Sequence, residues 1–311
     1  MTERTFWTAA FLTVLSIWSC AAPAVEKKLF SGAKMRGLYL PNHQALKREA
    51  IERVIEQGKP LGINALVLDA QKYNGRKAIL NPEVVPFLKA NGIYTVSRVV
   101  CFQDGLNKLP LADARRTELM TLIETVAQAG YDEIQLDYIR FADGGVGYSL
   151  QKKYDFIEGL LVEARGITDR YKIRLSADIF GRIPYNRNDA IGQQLELFAR
   201  HTHVLYPMLY PSHFTGDRKR MSDPGGTLTE GIEKSVTRIK AAGLTTGVAP
   251  FVQAFGYNIG YARVSLPEYV RLQVEAIEKS EAIGWMAWNA KGDYSSVFAA
   301  LQSMEAHFPR P

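Results

Sequence analysis

Cysteine is nearly absent: the 311 residues hold two, Cys20 and Cys101. Cys20 lies in a leader-like segment. Once that segment is removed Cys101 stands alone, which excludes an intrachain disulfide. Its surroundings, Val99-Val100-Cys101-Phe102, are apolar and predict a buried, inert thiol. Histidine is scarce too, five in all. None falls in a His-Glu-x-x-His or comparable cluster, so no metal and no cofactor are expected. A Gly-x-Ser-x-Gly nucleophile elbow is missing. So is any block of Lys and Arg interleaved with aromatics, which argues against a nucleic-acid partner.

The apolar run from Phe6 to Trp18 spans 13 residues, too short to cross a bilayer comfortably. Arg4 precedes it, and Ser19-Cys20-Ala21-Ala22-Pro23-Ala24 follows it. That is the layout of a secretory signal peptide over residues 1–24. Ala22-Pro23-Ala24 offers a small-x-small cleavage site that leaves Val25 first. Ile17-Trp18-Ser19-Cys20 resembles a bacterial lipobox, which would lipidate Cys20 and give the only membrane attachment. The protein is expected to be exported: periplasmic or secreted, or anchored as a lipoprotein.

What is present is ordinary globular material, 47% hydrophobic and 23% charged. The net charge of +6 and pI of about 9.1 suit an anionic polymer, an anionic polysaccharide among them, or an anionic lipid surface as partner, and also plain solubilising charge. After the leader one pattern recurs: an apolar, β-branched run, a loop, an amphipathic stretch, a glycine, the next run. The runs are 35–41, 64–71, 93–102, 133–141, 173–181, 203–211, 245–255 and 284–290, and a last helical stretch covers 295–306. Gly62, Gly92, Gly130, Gly243 and Gly284 stand where helices would end in a left-handed residue. Asn81-Pro82-Glu83 and the Thr227/Glu230 spacing read as helix starts.

Alternating strands and helices imply a parallel sheet with right-handed crossovers. Eight units over residues 35–306 predict a single (β/α)8 TIM barrel. An open doubly wound sheet would place a glycine-rich turn after its first strand, where Pro41-Asn42-His43 stands instead. The strand-to-helix loops are the longer set, which puts the functional face at the C-terminal ends of the strands.

Side chains alternate along a strand. In the fourth strand Glu133, Gln135 and Asp137 share the inward face, while Ile134, Leu136 and Tyr138 pack under helices. In the fifth, Ser176 and Asp178 point inward. Asp137 and Asp178 thus become neighbours at the rim, and two adjacent carboxyls push their pKa values apart, as glycosidic cleavage requires. Adjacent strands lie about 4.8 Å apart, so their carboxyls are expected about 5–9 Å apart depending on stagger. Asp69 is a third rim carboxylate, placed to orient Lys72 or Arg98 or to bind a sugar hydroxyl. Tyr39, Tyr206, Tyr210 and Trp288 offer apolar faces for sugar stacking. Arg140, His213, Gln253 and Asn289 complete the expected substrate contacts.

The segments Asp132-Glu133-Ile134-Gln135-Leu136-Asp137-Tyr138-Ile139-Arg140-Phe141, Ser176-Ala177-Asp178-Ile179-Phe180-Gly181 and Tyr206-Pro207-Met208-Leu209-Tyr210-Pro211-Ser212-His213-Phe214 occur in order, and Trp288-Asn289-Ala290 closes the series. Over about 35–290 the chain resembles a bacterial family of glycoside-hydrolase barrel domains. The resemblance implies a barrel glycosidase acting on a poly- or oligosaccharide. By analogy with better-known barrel glycosidases it implies Asp137 as nucleophile or base and Asp178 as partner acid. Those clans often carry Glu at the end of strand four or seven, where this chain has Asp137 and Gln253. A non-catalytic polysaccharide-binding barrel at the cell surface and a polysaccharide lyase are the competing functions.

Overall fold

A computed structural model of the protein describes residues 33–72, 75–144 and 146–307. The leader, with Cys20 and both processing sites, lies outside them. Among the described residues no helix is long and apolar enough to cross a membrane.

Nine parallel strands form one sheet: β1 (Met35–Leu40), β2 (Ala65–Asp69), β3 (Tyr94–Val100), β4 (Glu133–Asp137), β5 (Arg174–Phe180), β6 (Val204–Met208), β7 (Gly247–Val248), β8 (Phe251–Gln253) and β9 (Gly284–Trp288). Helices cover the outside: α1 (Asn42–Ala45), α2 (Arg48–Gly58), α3 (Val84–Ala90), α4 (Asp113–Gln128), α5 (Leu150–Tyr171), α6 (Leu195–His201), α7 (Arg218–Ser222), α8 (Pro224–Ala241), α9 (Leu266–Glu278) and α10 (Ser295–His307). The strand order β7-β6-β5-β4-β3-β2-β1-β9-β8 is that of a (β/α)8 barrel whose seventh strand comes in two pieces. Pro250 has no N–H to give the ladder. The first piece, β7, pairs with β6 and the second, β8, with β9, so the two halves close the circle together. The sequence pattern predicts one strand over 245–255 and does not register the interruption.

Two apolar layers follow from the alternation. Leu38, Leu66, Leu136, Leu175, Leu205 and Ala287 face outward and pack with buried helix residues such as Ile51, Leu122, Leu161 and Val274. Met35, Val67, Val96, Val204, Tyr206 and Met286 are also buried and fill the barrel interior. Gly37 is required there: a Cβ at this position would lie 1.8 Å from the Met286 sulfur. Gly92 (φ 72°) and Gly130 (φ 81°) take the left-handed conformation expected where helices give way to strands. The start predicted at Thr227 is displaced. α8 begins at Pro224, where the Asp223 side chain accepts from Gly226 N at 2.8 Å. Thr227 sits inside the helix, its hydroxyl donating to Arg220 O. Asp-Pro is the stronger start signal because it combines a cap with a fixed φ. Asn81 acts just ahead of α3, its Oδ1 accepting from Glu83 N at 3.0 Å.

At the opposite face of the barrel from the loops, His203 ties β6 to β5. Its Nδ1 accepts from Leu175 N at 3.0 Å. Burial, with Arg165 and Arg174 adding to it, lowers the imidazole pKa to about 4. A histidine whose folded value lies below the ordinary 6.5 stabilises the fold above pH 6.5, and that contribution is lost as pH falls toward 4. The thermal midpoint is therefore expected to drop over that interval, and His203→Gln to flatten the drop. An identical slope in the variant, read by calorimetry, would remove His203 as its source.

Candidate active site

Strand register builds the site. β4 pairs with β5 as Gln135↔Ser176 and Leu136↔Ala177, so Asp137 and Asp178 follow as the next opposed pair, with no stagger. Each carboxyl lies close enough to feel the other's charge. Both side chains leave the same face at the same height. The register of β2 with β3 opposes Asp69 to Arg98 in the same way.

Arg98 links these carboxylates. It donates from Nε (2.9 Å) and Nη2 (2.6 Å) to Asp137 Oδ2, and from Nη1 (2.6 Å) to Asp69 Oδ1. Asp137 Oδ1 accepts from Tyr138 N at 2.6 Å. Both oxygens of Asp137 are thus committed. Burial alone would lower the Arg98 pKa, but Asp137 and Asp69 together hold it well above the ordinary arginine value. Asp178 is different. Burial, then the adjacent Asp137 charge, pushes its carboxyl well above the usual aspartate range, and its Oδ1 meets no donor. Of the two, Asp178 is the carboxyl whose surroundings favour the protonated form.

A cavity of about 340 Å³ opens above the pair, lined by Arg98, Asp137, Asp178 and a wall of aromatic rings. Trp288 is stacked on Tyr39 at 3.8 Å between centroids, and the Arg98 guanidinium lies 5.0 Å over the Trp288 ring. Phe251 stands edge-on to Trp288 at 5.9 Å. Tyr210 and His213 follow along the β6 side, 5.2 Å apart. Burial lowers the His213 pKa.

Of the predicted contacts, Asp137, Asp178, Arg98, Tyr210, His213 and Trp288 meet in this cavity. The others lie behind it. Asp69 is bound by Arg98 and by the Tyr39 hydroxyl, which donates to it at 2.7 Å. Tyr206 is fully buried inside the barrel and donates to Glu133 at 2.7 Å. Ser176 and Tyr94 donate to the same Glu133 carboxyl. Gln253 is consumed in holding the rim, donating to Phe255 O (3.1 Å) and Tyr257 O (3.0 Å) and accepting from Ser212 N. Asn289 donates to Ala254 O at 2.7 Å. Arg140 donates to Phe141 O and pairs with Asp143, with its guanidinium 5.0 Å from the Phe180 ring. These five support the wall rather than form it, and so does Tyr39, stacked against Trp288.

Several lining residues escaped the sequence reading: Tyr138, Phe180, Arg182, Met208, Phe214 and Phe251. Phe180 was within reach, since it follows Ser176 and Asp178 on the inward face of β5. Tyr138 was not. The strand ends at Asp137 and Tyr138 takes φ 53°, which turns its side chain from the helix layer into the cavity. A bulky residue in that region is strained and persists where its surroundings enforce it. Cys101 is buried as expected, and burial raises its thiol pKa. Among the described residues no His, Cys, Asp and Glu cluster could hold a metal ion.

Similar architecture occurs in solved glycosidases. The glycoside hydrolase domain of PgaB (BpsB) from Bordetella bronchiseptica shares 13% identity at a TM-score of 0.64, over 87% of this chain and 98% of that one. A chitinase from Chromobacterium violaceum shares 12% at 0.59, over 89% and 100%. A class V chitinase from Nicotiana tobaccum, in a mutant form solved with NAG4, shares 13% at 0.55, over 87% and 99%. At such identities the likeness is one of fold. No curated protein matches the sequence. Residues 110–294, more than half of the chain and the stretch that carries Asp137, Asp178 and Trp288, match the family described as "Putative glycosyl hydrolase domain", and the chain belongs to that family.

Proposed function

We propose that the protein hydrolyses glycosidic bonds, with Asp178 as proton donor and Asp137 as its charged partner. The observation that carries this reading is the unstaggered carboxyl pair on the floor of an aromatic-walled cavity, where burial and the neighbouring charge raise the Asp178 pKa. Donation to the glycosidic oxygen leaves two adjacent carboxylates. Positive charge developing on the sugar ring relieves their repulsion, so the pair favours the transition state over the bound ground state. Arg98 keeps Asp137 in place throughout.

Carboxyls that flank a scissile bond from opposite sides lie about 5–9.5 Å apart. Asp137 and Asp178 leave adjacent strands at one height, so the pair works from one side of the bond. Among the described residues the cavity offers no third carboxylate, so the attacking oxygen comes from water or from the sugar's own substituent. Trp288, Tyr210 and Phe251 give the stacking faces. The chitinases among the structural neighbours make chitin oligomers the first substrates to try. The leader pattern in residues 1–24 supports action after export.

Digestion of a glycan panel that includes chitin oligomers, read by mass spectrometry, is expected to give hydrolysis products. Asp137→Asn is expected to cut the rate by about 100-fold or more while the chain stays folded. An unsaturated product absorbing in the ultraviolet would assign the site to a lyase instead. Bound glycan with no product would make the barrel a binding module.

A further inference from the structure

Large hydrophobic side chains are well exposed at only four places among the described residues, and two of them, Tyr257 (57%) and Tyr261 (48%), lie in the single loop that follows β8. That loop is fixed at its base. Gln253, from inside the barrel wall, donates to the carbonyls of Phe255 and Tyr257. Further along, Asn258 (φ 52°) and Arg263 (φ 55°) bracket the short turn Ile259–Ala262 in left-handed conformations that non-glycine residues seldom adopt. Such backbone is maintained where the surroundings impose it.

The exposed ring of Tyr257 is also continuous with the cavity. Tyr210 and His213 line the cavity, and their rings lie 5.2 Å apart. The next step, from His213 to Tyr257, is 5.8 Å at 74°. Phe255 fills in behind, 5.4 Å from Tyr210 and 5.9 Å from His213. An aromatic row thus runs from beside the carboxyl pair out to solvent. A side chain with an apolar body and a polar tip, left bare at the end of such a row, suits a ligand with the same mixture of surfaces.

We propose that Tyr257 is an outer sugar-binding platform, and that the substrate is a polymer of pyranose rings with equatorial substituents, bound as an extended chain along the Tyr210–His213–Tyr257 row. Equatorial substitution matters because it leaves flat C–H faces that lie on an aromatic ring. The proposal rests on the glycosidase reading for its direction of travel, toward Asp178, but not for the platform itself.

Binding separates the two. Chitin oligomers from the disaccharide to the hexasaccharide, titrated calorimetrically into the Asp178→Asn protein, are expected to bind more tightly as they lengthen. Adding Tyr257→Ala is expected to remove about 5- to 10-fold of affinity from the longest oligomer and progressively less from the shorter ones. Tyr257→Phe is expected to keep the length dependence, since stacking needs the ring and not the hydroxyl. Affinity that does not rise with length, or that falls equally at all lengths in Tyr257→Ala, overturns the platform. Length-dependent binding that Tyr257→Ala erases, in a wild-type protein that cleaves no glycan, leaves the platform standing and removes the hydrolase reading.

Discussion

Asp178→Asn is expected to lower kcat on a cleaved glycan by about 10²- to 10⁴-fold, the range for removal of a positioned general acid, and to make the protein more stable at neutral pH. The two effects have one cause. Burial and the neighbouring Asp137 hold the Asp178 carboxyl well above its ordinary value of 3.8. The folded protein keeps that proton at pH values where the unfolded chain has released it. The stability that this proton contributes is therefore fully present below 3.8 and is lost as pH rises through the raised value. Asparagine has no proton to lose, so the variant's unfolding midpoint is expected to lie above that of wild type at pH 7–8 and to lose the decline. Wild-type kcat/KM is expected to fall with rising pH over the same interval, since only the protonated acid can donate. A variant that is less stable than wild type at neutral pH, with kcat unchanged, would place the proton elsewhere.

Arg98→Met is expected to be the costliest substitution for stability. The Arg98, Asp69 and Asp137 side chains are only 8%, 13% and 6% exposed. Removing the cation leaves two buried carboxylates without their partner, at a cost of about 3–5 kcal/mol, or on the order of 10 °C in Tm for a chain of this size. Arg98→Lys is expected to rescue little, because one ammonium cannot reproduce the fork that reaches both carboxylates. Asp137→Asn in the Arg98→Met background is expected to recover part of the loss, since it removes one of the unpaired charges. Additive losses in that double-variant cycle would show that Arg98 and Asp137 do not interact as drawn.

Much of this architecture is legible in the sequence. Period-two alternation puts Glu133, Gln135 and Asp137 on one face, and consecutive parallel strands put Asp178 beside Asp137. What alternation cannot give is stagger, and it is the β4–β5 register that sets the two carboxyls level. Nor does it say which rim polar groups are already satisfied. Gln253 and Asn289 look like sugar ligands in a linear reading and prove to be occupied by backbone partners that are distant or irregular in sequence. Tyr138 changes sides because of one backbone dihedral, and no local residue preference marks it. Pro250 is visible in the sequence, yet its effect is a pause in a strand rather than an end.

The unstaggered pairing of β4 and β5 has a consequence for how such a protein can diversify. Asp137, Asp178 and Arg98 are all held by strand backbone, so their mutual geometry is a property of the sheet. The rings of the proposed outer platform, His213 and Tyr257, stand beyond the ends of β6 and β8. On the proposed reading, lengthening or exchanging those segments would redirect the protein to another glycan without disturbing the carboxyl pair, and chimaeras that graft the 255–264 loop of a relative are expected to change glycan preference while conserving chemistry.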